Sequence, residues 1–316
     1  MVYLFAFLCP LICMCMIMPW LISLAGKINF VDIPTSRKNH KRPVALVGGI
    51  AMFFVFSLSL LAFAGFGDTK LIAVLLGAFL ILCIGLVDDF YKTRKKEFAV
   101  LPRMLIQLAA AILVFAAGIR FTGITNPVTE TYISFPAWLQ FALTIIWIFG
   151  LTTVINWCDG MDGLAGILSL VAAITFFIAA CYKDQPDSAL LAVILIGCVL
   201  GFLKFNLFNA RIFMGDSGAN FLGFMLAVIS LHGAFKQATV VSMFIPVLAL
   251  GVPIFDNIFV VMKRFITLRP IYKADAAQIH HRLLKAGLKP NQVLMFIFLI
   301  TVCLNITSII LLLLNL

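Results

Sequence analysis

The feature that most limits what this chain can fold into is a series of long apolar runs. Ten of them lie near 3–25, 44–66, 70–87, 100–120, 136–155, 163–182, 188–204, 218–234, 238–262 and 291–315. Each is close to the length of about 20 residues that crosses a bilayer as a helix. They make the chain 63% apolar and only 11% charged, where a soluble domain is nearer half apolar and a quarter charged. One core cannot hide that excess, which excludes a soluble globular enzyme, a disordered chain and a disulfide-rich secreted module. Runs such as Leu71–Leu82 and Ile309–Leu314 do not alternate, as strands of a membrane barrel would. The expected fold is all-α: a polytopic integral membrane helical bundle of about ten transmembrane helices, forming one domain over 1–316.

The charges sort by loop. The links near 26–43, 88–99, 156–162, 205–217 and 263–290, with the adjoining ends of the runs, hold 19 of the 23 Lys and Arg. By the positive-inside rule that side is cytoplasmic and both termini face outward. Nine of the 13 Asp and Glu lie on the same side, so the whole net charge of +10 sits on one face. Topology and attraction to anionic headgroups account for much of the basic charge but not for the acids. The first run has no basic leader segment and is too long for a cleaved signal peptide. The eight cysteines fall mostly inside the runs without metal-ligand spacing, as small apolar packing residues do.

Ionisable groups near membrane depth are expensive and mark function by default. Asp88 and Asp89 end the third run, Asp159 and Asp162 sit in the short link before the sixth, and Asp216 opens the eighth. Asp256 lies toward the inner end of the ninth. Taken singly, Asp216 or Asp162 could simply cap a helix. Together, six carboxylates at one depth repel one another unless a cation joins them, and hard oxygen ligands near phosphate suggest Mg²⁺, with Mn²⁺ as an alternative. Gly160, Gly163, Gly215 and Gly218 allow close backbone approach at helix starts, which favour phosphate. Carboxylates, a metal, helix starts and basic loops together point to phosphoryl transfer between a cytosolic nucleotide-like substrate and a lipid-borne one. His280, His281 and Arg282 add groups suited to phosphate binding or proton transfer.

These residues resemble motifs of the polyprenyl-phosphate N-acetylhexosamine-1-phosphate transferases. Val31-Asp32-Ile33-Pro34 through Arg37-Lys38-Asn39-His40 with Leu46-Val47-Gly48-Gly49, then Gly85-Leu86-Val87-Asp88-Asp89, are similar to the family's first inner loop and Asp-Asp motif. Asn156-x-x-Asp159-Gly160-x-Asp162-Gly163, Asn206 through Ala210-Arg211-Ile212-Phe213-Met214-Gly215-Asp216-Ser217-Gly218, and Asp275 with Ile279-His280-His281-Arg282-Leu283-Leu284 resemble three further motifs. The resemblance implies transfer of a HexNAc-1-phosphate, GlcNAc-1-phosphate first among them, from a UDP-sugar to undecaprenyl phosphate. UMP is released and cell-envelope glycan synthesis begins at the cytoplasmic face of the bacterial plasma membrane. The UDP-MurNAc-pentapeptide branch is the alternative; its usual Pro-Thr-Met-Gly-Gly loop reads Ala45-Leu46-Val47-Gly48-Gly49 here.

By that resemblance Asp216 holds the metal with Asp88 and Asp89, and Asp88 orients or deprotonates the lipid phosphate. Asn156, Asp159 and Asp162 position nucleotide and metal, Phe213 stacks on uracil, Arg42 binds substrate, and His280, His281 and Arg282 contact phosphates. A direct in-line attack and a two-step route through an aspartyl-phosphate are both open. The expected partners are the UDP-sugar, the polyprenyl phosphate and the membrane, with no nucleic acid and a homodimer left open. The branch's His-x-His-His pattern begins here with Gln278, which can hydrogen-bond but cannot exchange a proton near pH 7. Two other classes compete. An intramembrane serine protease would use Ser217 in Gly215-Asp216-Ser217-Gly218, but the only later intramembrane histidine, His232, falls at the opposite end of its run. A transporter would carry its acids near the bilayer centre.

Overall fold

The computed structural model describes residues 1–32, 43–94, 96–126, 129, 131–233, 240–268 and 277–314, with 240–243 described by backbone only. Arg42 and Asp275 lie outside the described residues. The elements are α1 (Val2–Lys27), β1 (Val31–Asp32), β2 (Val44–Ala45), α2 (Gly48–Ala64), α3 (Thr69–Thr93) and α4 (Val100–Ala116). They continue with β3 (Gly123–Thr125), β4 (Tyr132–Ser134), α5 (Ala137–Cys158), α6 (Leu164–Tyr182), α7 (Pro186–Asn206) and α8 (Gly215–His232). The last are α9 (Val240–Ala249), α10 (Gly251–Ile266), α11 (Ile279–Lys285) and α12 (Pro290–Leu313).

The protein is an all-α membrane protein. Six helices, α1, α3, α5, α6, α7 and α12, are long and apolar enough to cross a bilayer. The strands were not expected; they form two small antiparallel hairpins, β1 with β2 and β3 with β4. Each of the ten apolar runs coincides with helix, but the ninth is two helices rather than one. Pro253 has no N–H, so the Ala249 carbonyl one turn earlier loses its helical donor. The side chain of Asn305 on α12 replaces it, donating to Ala249 O at 3.1 Å, and Thr175 on α6 hydrogen-bonds Asn305 in turn at 2.5 Å.

Local signals set the other helix starts. Asp68 accepts from Lys70 N–H at 2.8 Å ahead of α3, while α7 and α12 open on Pro186 and Pro290, where a missing N–H costs nothing. Helix α8 runs through the middle of the bundle, wrapped by α2, α3, α5 and α6. From Gly215 to Leu231 every residue of α8 is buried except Asp216. Phe53 and Phe56 of α2 meet Phe221 edge to face at 6.0 and 5.7 Å, an arrangement that aromatic quadrupoles favour. Because α8 is enclosed along its length, its first turn is the point at which the chemistry-bearing ends of its neighbours can meet.

Candidate active site

The last turns of α3 carry Asp88, Asp89 and Lys92 to the start of α8. The Asp89 side chain, fully buried, accepts Asp216 N–H on Oδ1 at 2.7 Å. Its Oδ2 accepts Ser217 N–H at 3.1 Å and Ser217 Oγ–H at 2.7 Å. The first N–H groups of any helix lack partners within it, and here a carboxylate from another helix supplies them at the positive end of the α8 dipole. Gly215 makes this approach feasible. Its φ is +69°, and a Cβ there would collide with the Asp89 carboxylate.

Asp88, equally buried, turns to the other side. Arg103 Nη1 near the start of α4 donates to its Oδ2 at 2.8 Å and stands 3.9 Å from Asp216 Oδ2. Lys92 Nζ, four residues beyond Asp88 and so on the same helical face, pairs with Asp216 Oδ1 at 2.6 Å. The Asp88 and Asp216 carboxylates are themselves within hydrogen-bonding reach. Asn156, at the end of α5, lies beside Asp216; its Nδ2 is buried and reaches no full hydrogen bond among the described residues.

The link from α5 to α6 closes the other flank. Asp159 faces the charges of Asp216, Asp89 and Asp162; burial first, and the Asp216 charge second, push its carboxyl up to about 7. Asp162 Oδ2 accepts Ala210 N–H at 3.1 Å. Buried Asn206 accepts Gly163 N–H at 2.9 Å and donates to Ile212 O at 2.7 Å, stapling this link to the segment that leads into α8. That segment also pairs with the end of β2: Phe213 N–H donates to Ala45 O at 2.8 Å, and Gly48 N–H to Phe213 O at 3.1 Å.

A second assembly joins α10 to α11. Asp256 takes Ile279 N–H on both oxygens, at 3.0 and 2.9 Å, and Arg282 Nη2 at 3.0 Å. Arg282 also lies over the Phe259 ring at 4.3 Å. Asp256 therefore anchors α11 and does not join the other carboxylates. His280 is buried against Gly160, where any Cβ would strike its ring. Its centroid is 4.2 Å from that of His281. Burial, then the His281 charge, pulls the His280 ring down to about 4, so it is neutral at pH 7 with Nε2 unpartnered among the described residues.

The structure thus brings together Asp88, Asp89, Asp159, Asp216 and Asn156, with Asp162, Phe213, His280, His281 and Arg282 on the surrounding segments. It adds Lys92, Arg103 and Asn206, which the sequence offered only as topology-setting charge or motif filler, and makes Ser217, weighed above as a protease nucleophile, a donor to Asp89 instead. The spacing of Asp88 and Lys92 by one helical turn was the available signal; nothing local marks Arg103. No three His, Cys, Asp or Glu side chains among the described residues form a ready metal cage. The juxtaposed Asp88 and Asp216 do suit Mg²⁺, which takes one or two carboxylates and completes its shell with water and substrate phosphate.

The arrangement defines a class: polytopic helical membrane proteins with a carboxylate and cation cluster assembled from helix ends. Within it, the chain belongs to glycosyl transferase family 4, whose family model matches residues 71–234. It is 36% identical over 307 residues to the probable undecaprenyl-phosphate N-acetylglucosaminyl 1-phosphate transferase of Bacillus subtilis, covering 97% of this chain and 84% of that one. It is 31% identical over 305 residues to the decaprenyl-phosphate N-acetylglucosaminephosphotransferase of Mycobacterium tuberculosis, covering 87% and 74%. Similarity to the phospho-N-acetylmuramoyl-pentapeptide-transferase of Streptococcus uberis is 32% over 189 residues, covering 58% and 56%.

Proposed function

We propose that this chain transfers GlcNAc-1-phosphate from UDP-GlcNAc to undecaprenyl phosphate, releasing UMP and leaving undecaprenyl-diphospho-GlcNAc. The observation that carries the proposal is the meeting of Asp88, Asp216, Lys92 and Arg103 at the head of α8. Opposite charges held at one helix start suit a reaction that rearranges phosphates. The names of relatives that align along nearly the whole chain favour GlcNAc over the MurNAc-pentapeptide donor.

An oxygen of the lipid phosphate attacks the sugar-linked phosphorus of UDP-GlcNAc, and the bond from that phosphorus to the UMP oxygen breaks. Asp88 orients the attacking phosphate and accepts its proton when it carries one. Lys92 and Arg103, which neutralise Asp216 and Asp88 in the protein alone, turn to the phosphates when these enter. Asn156, Asp159 and Asp162 position the nucleotide end, and Phe213 stacks on uracil. Asp89 acts by holding the first turn of α8, which fixes Asp216. His281 on α11 contacts phosphate, Arg42 binds substrate, and Arg282 presents α11 through its pair with Asp256. Mg²⁺ or Mn²⁺ held by Asp216 and Asp88 would neutralise charge on the pyrophosphate.

All ten apolar segments cross the bacterial plasma membrane in this reading, α9 and α10 making one crossing between them. The basic links support a site at the cytoplasmic face with both termini outside. The test is a panel of UDP-sugars given to the purified protein with undecaprenyl phosphate and Mg²⁺, scored by UMP release. UDP-GlcNAc should support turnover, and omission of the lipid should abolish it. Turnover with UDP-MurNAc-pentapeptide alone would replace the donor, and release of UMP from none of them would refute the reading.

A further inference from the structure

Gln278 stands immediately before α11, where the family pattern described above has a histidine. Its Nε2 donates to Trp157 O at 2.6 Å. Trp157 lies in the last turn of α5, whose terminal carbonyls have no donor further along their own helix. Asp159 N–H meets the Asn156 carbonyl at 3.2 Å, and Gln278 meets the next one. The flanking residues are those that approach Asp216: Asn156 on one side and Asp159 two positions beyond. Other contacts hold the same stretch, the Arg264 guanidinium over the Trp157 ring at 5.1 Å and the His280 ring on Gly160. From behind, Gln278 is held by Asp256, which takes the N–H of Ile279 next to it.

We infer that Gln278 is a positioning residue for the transfer reaction, setting where α5 ends and thereby where Asn156 and Asp159 stand against Asp216, through a donor that is never charged. The inference rests on the transferase reading. A helix C-terminus carries partial negative charge and favours the protonated form of a nearby base. A titrating side chain here would therefore tie the geometry of the link to pH, and an amide does not.

The experiment compares Gln278→Leu, Gln278→His and Gln278→Glu with the unmodified enzyme, measuring kcat and KM for UDP-GlcNAc by UMP release. Leaving the Trp157 carbonyl without its donor should lower kcat about tenfold in Gln278→Leu, with KM changed by no more than about twofold. Gln278→His restores a donor and should recover kcat to within about threefold. In Gln278→Glu only the protonated carboxyl can donate. Its kcat relative to the unmodified enzyme at the same pH should therefore be low at pH 8 and climb toward pH 5.5. Asp256 and Asp159 push that carboxyl toward protonation, while Arg264, Arg282 and His281 oppose them. Should Gln278→Leu fail to fold, the Gln278→Glu ratio decides. Full kcat in Gln278→Leu, a loss that His does not restore, or a Gln278→Glu ratio flat with pH would each overturn the inference. An unmodified enzyme that releases no UMP from any UDP-sugar would overturn the transferase reading and the inference with it.

Discussion

Replacing Asp89 by Asn separates holding a helix from doing chemistry. The Asp89 carboxylate accepts three hydrogen bonds in a fully buried setting, one on Oδ1 from Asp216 N–H and two on Oδ2 from Ser217. The best placement of the introduced amide keeps its oxygen on Ser217 and turns its NH₂ toward Asp216 N–H. The Asp216 N–H and the introduced NH₂ are then both buried donors without an acceptor, at a cost of at least about 1–3 kcal/mol. Losing the negative charge adds no cost, because it also relieves repulsion with Asp216. That cost corresponds to an apparent melting temperature lower by at least roughly 2–5 °C for a chain of this size. The orphaned group is the backbone of Asp216 itself, so kcat should fall along with stability. Asp88→Asn is the contrast: it removes repulsion with Asp216, so turnover should fall with no loss of melting temperature. Both are read by intrinsic-fluorescence melting in detergent and by UMP release on the same samples. An Asp89→Asn protein that melts like the unmodified one while losing all turnover would refute the positioning role.

The remaining expectations use other parts of the protein. His280 titrates near 4 when folded and near 6.5 otherwise, so the unfolded chain takes up its proton first. Stability that is complete above about pH 6.5 is lost as pH falls toward 4, by about 3 kcal/mol, and His280→Gln should flatten that part of a melting-temperature profile. Arg103→Ala removes the cation on Asp88 and near Asp216; kcat should fall roughly a hundredfold, and an equal rate would remove Arg103 from the site. Asn305→Leu uncaps the Ala249 carbonyl at the break between α9 and α10 and should cost about 1–2 kcal/mol, seen as a lower melting temperature.

Much of this was legible in the sequence because membrane helices are written as uninterrupted apolar runs, and because carboxylates at their ends are conspicuous against so few charges. The break at Leu250 was harder to read. Membrane helices tolerate proline, and whether Pro253 ends a helix depends on Asn305, some 50 residues away, replacing the missing donor. The division of labour within Asp88-Asp89 was hidden for a similar reason. Adjacent residues on a helix face about 100° apart, and only the tertiary packing shows that Asp89 points to the α8 backbone while Asp88 points to Arg103. Asp256 read as a sixth member of the cluster by depth alone; its pairing with Ile279 and Arg282 is a long-range contact that no spacing reveals.

In the proposed reaction Asp216, fixed at the head of α8 and joined by Asp88, carries the divalent-ion and phosphate chemistry of the transfer. The most direct test is Mg²⁺-dependent UMP release by purified Asp216→Asn in the presence of UDP-GlcNAc and undecaprenyl phosphate. The unmodified protein should turn over only with the metal, and Asp216→Asn should lose at least about a hundredfold in rate, with a lower melting temperature because Lys92 loses its partner. Full turnover by Asp216→Asn, or metal-independent release by the unmodified protein, would contradict this role.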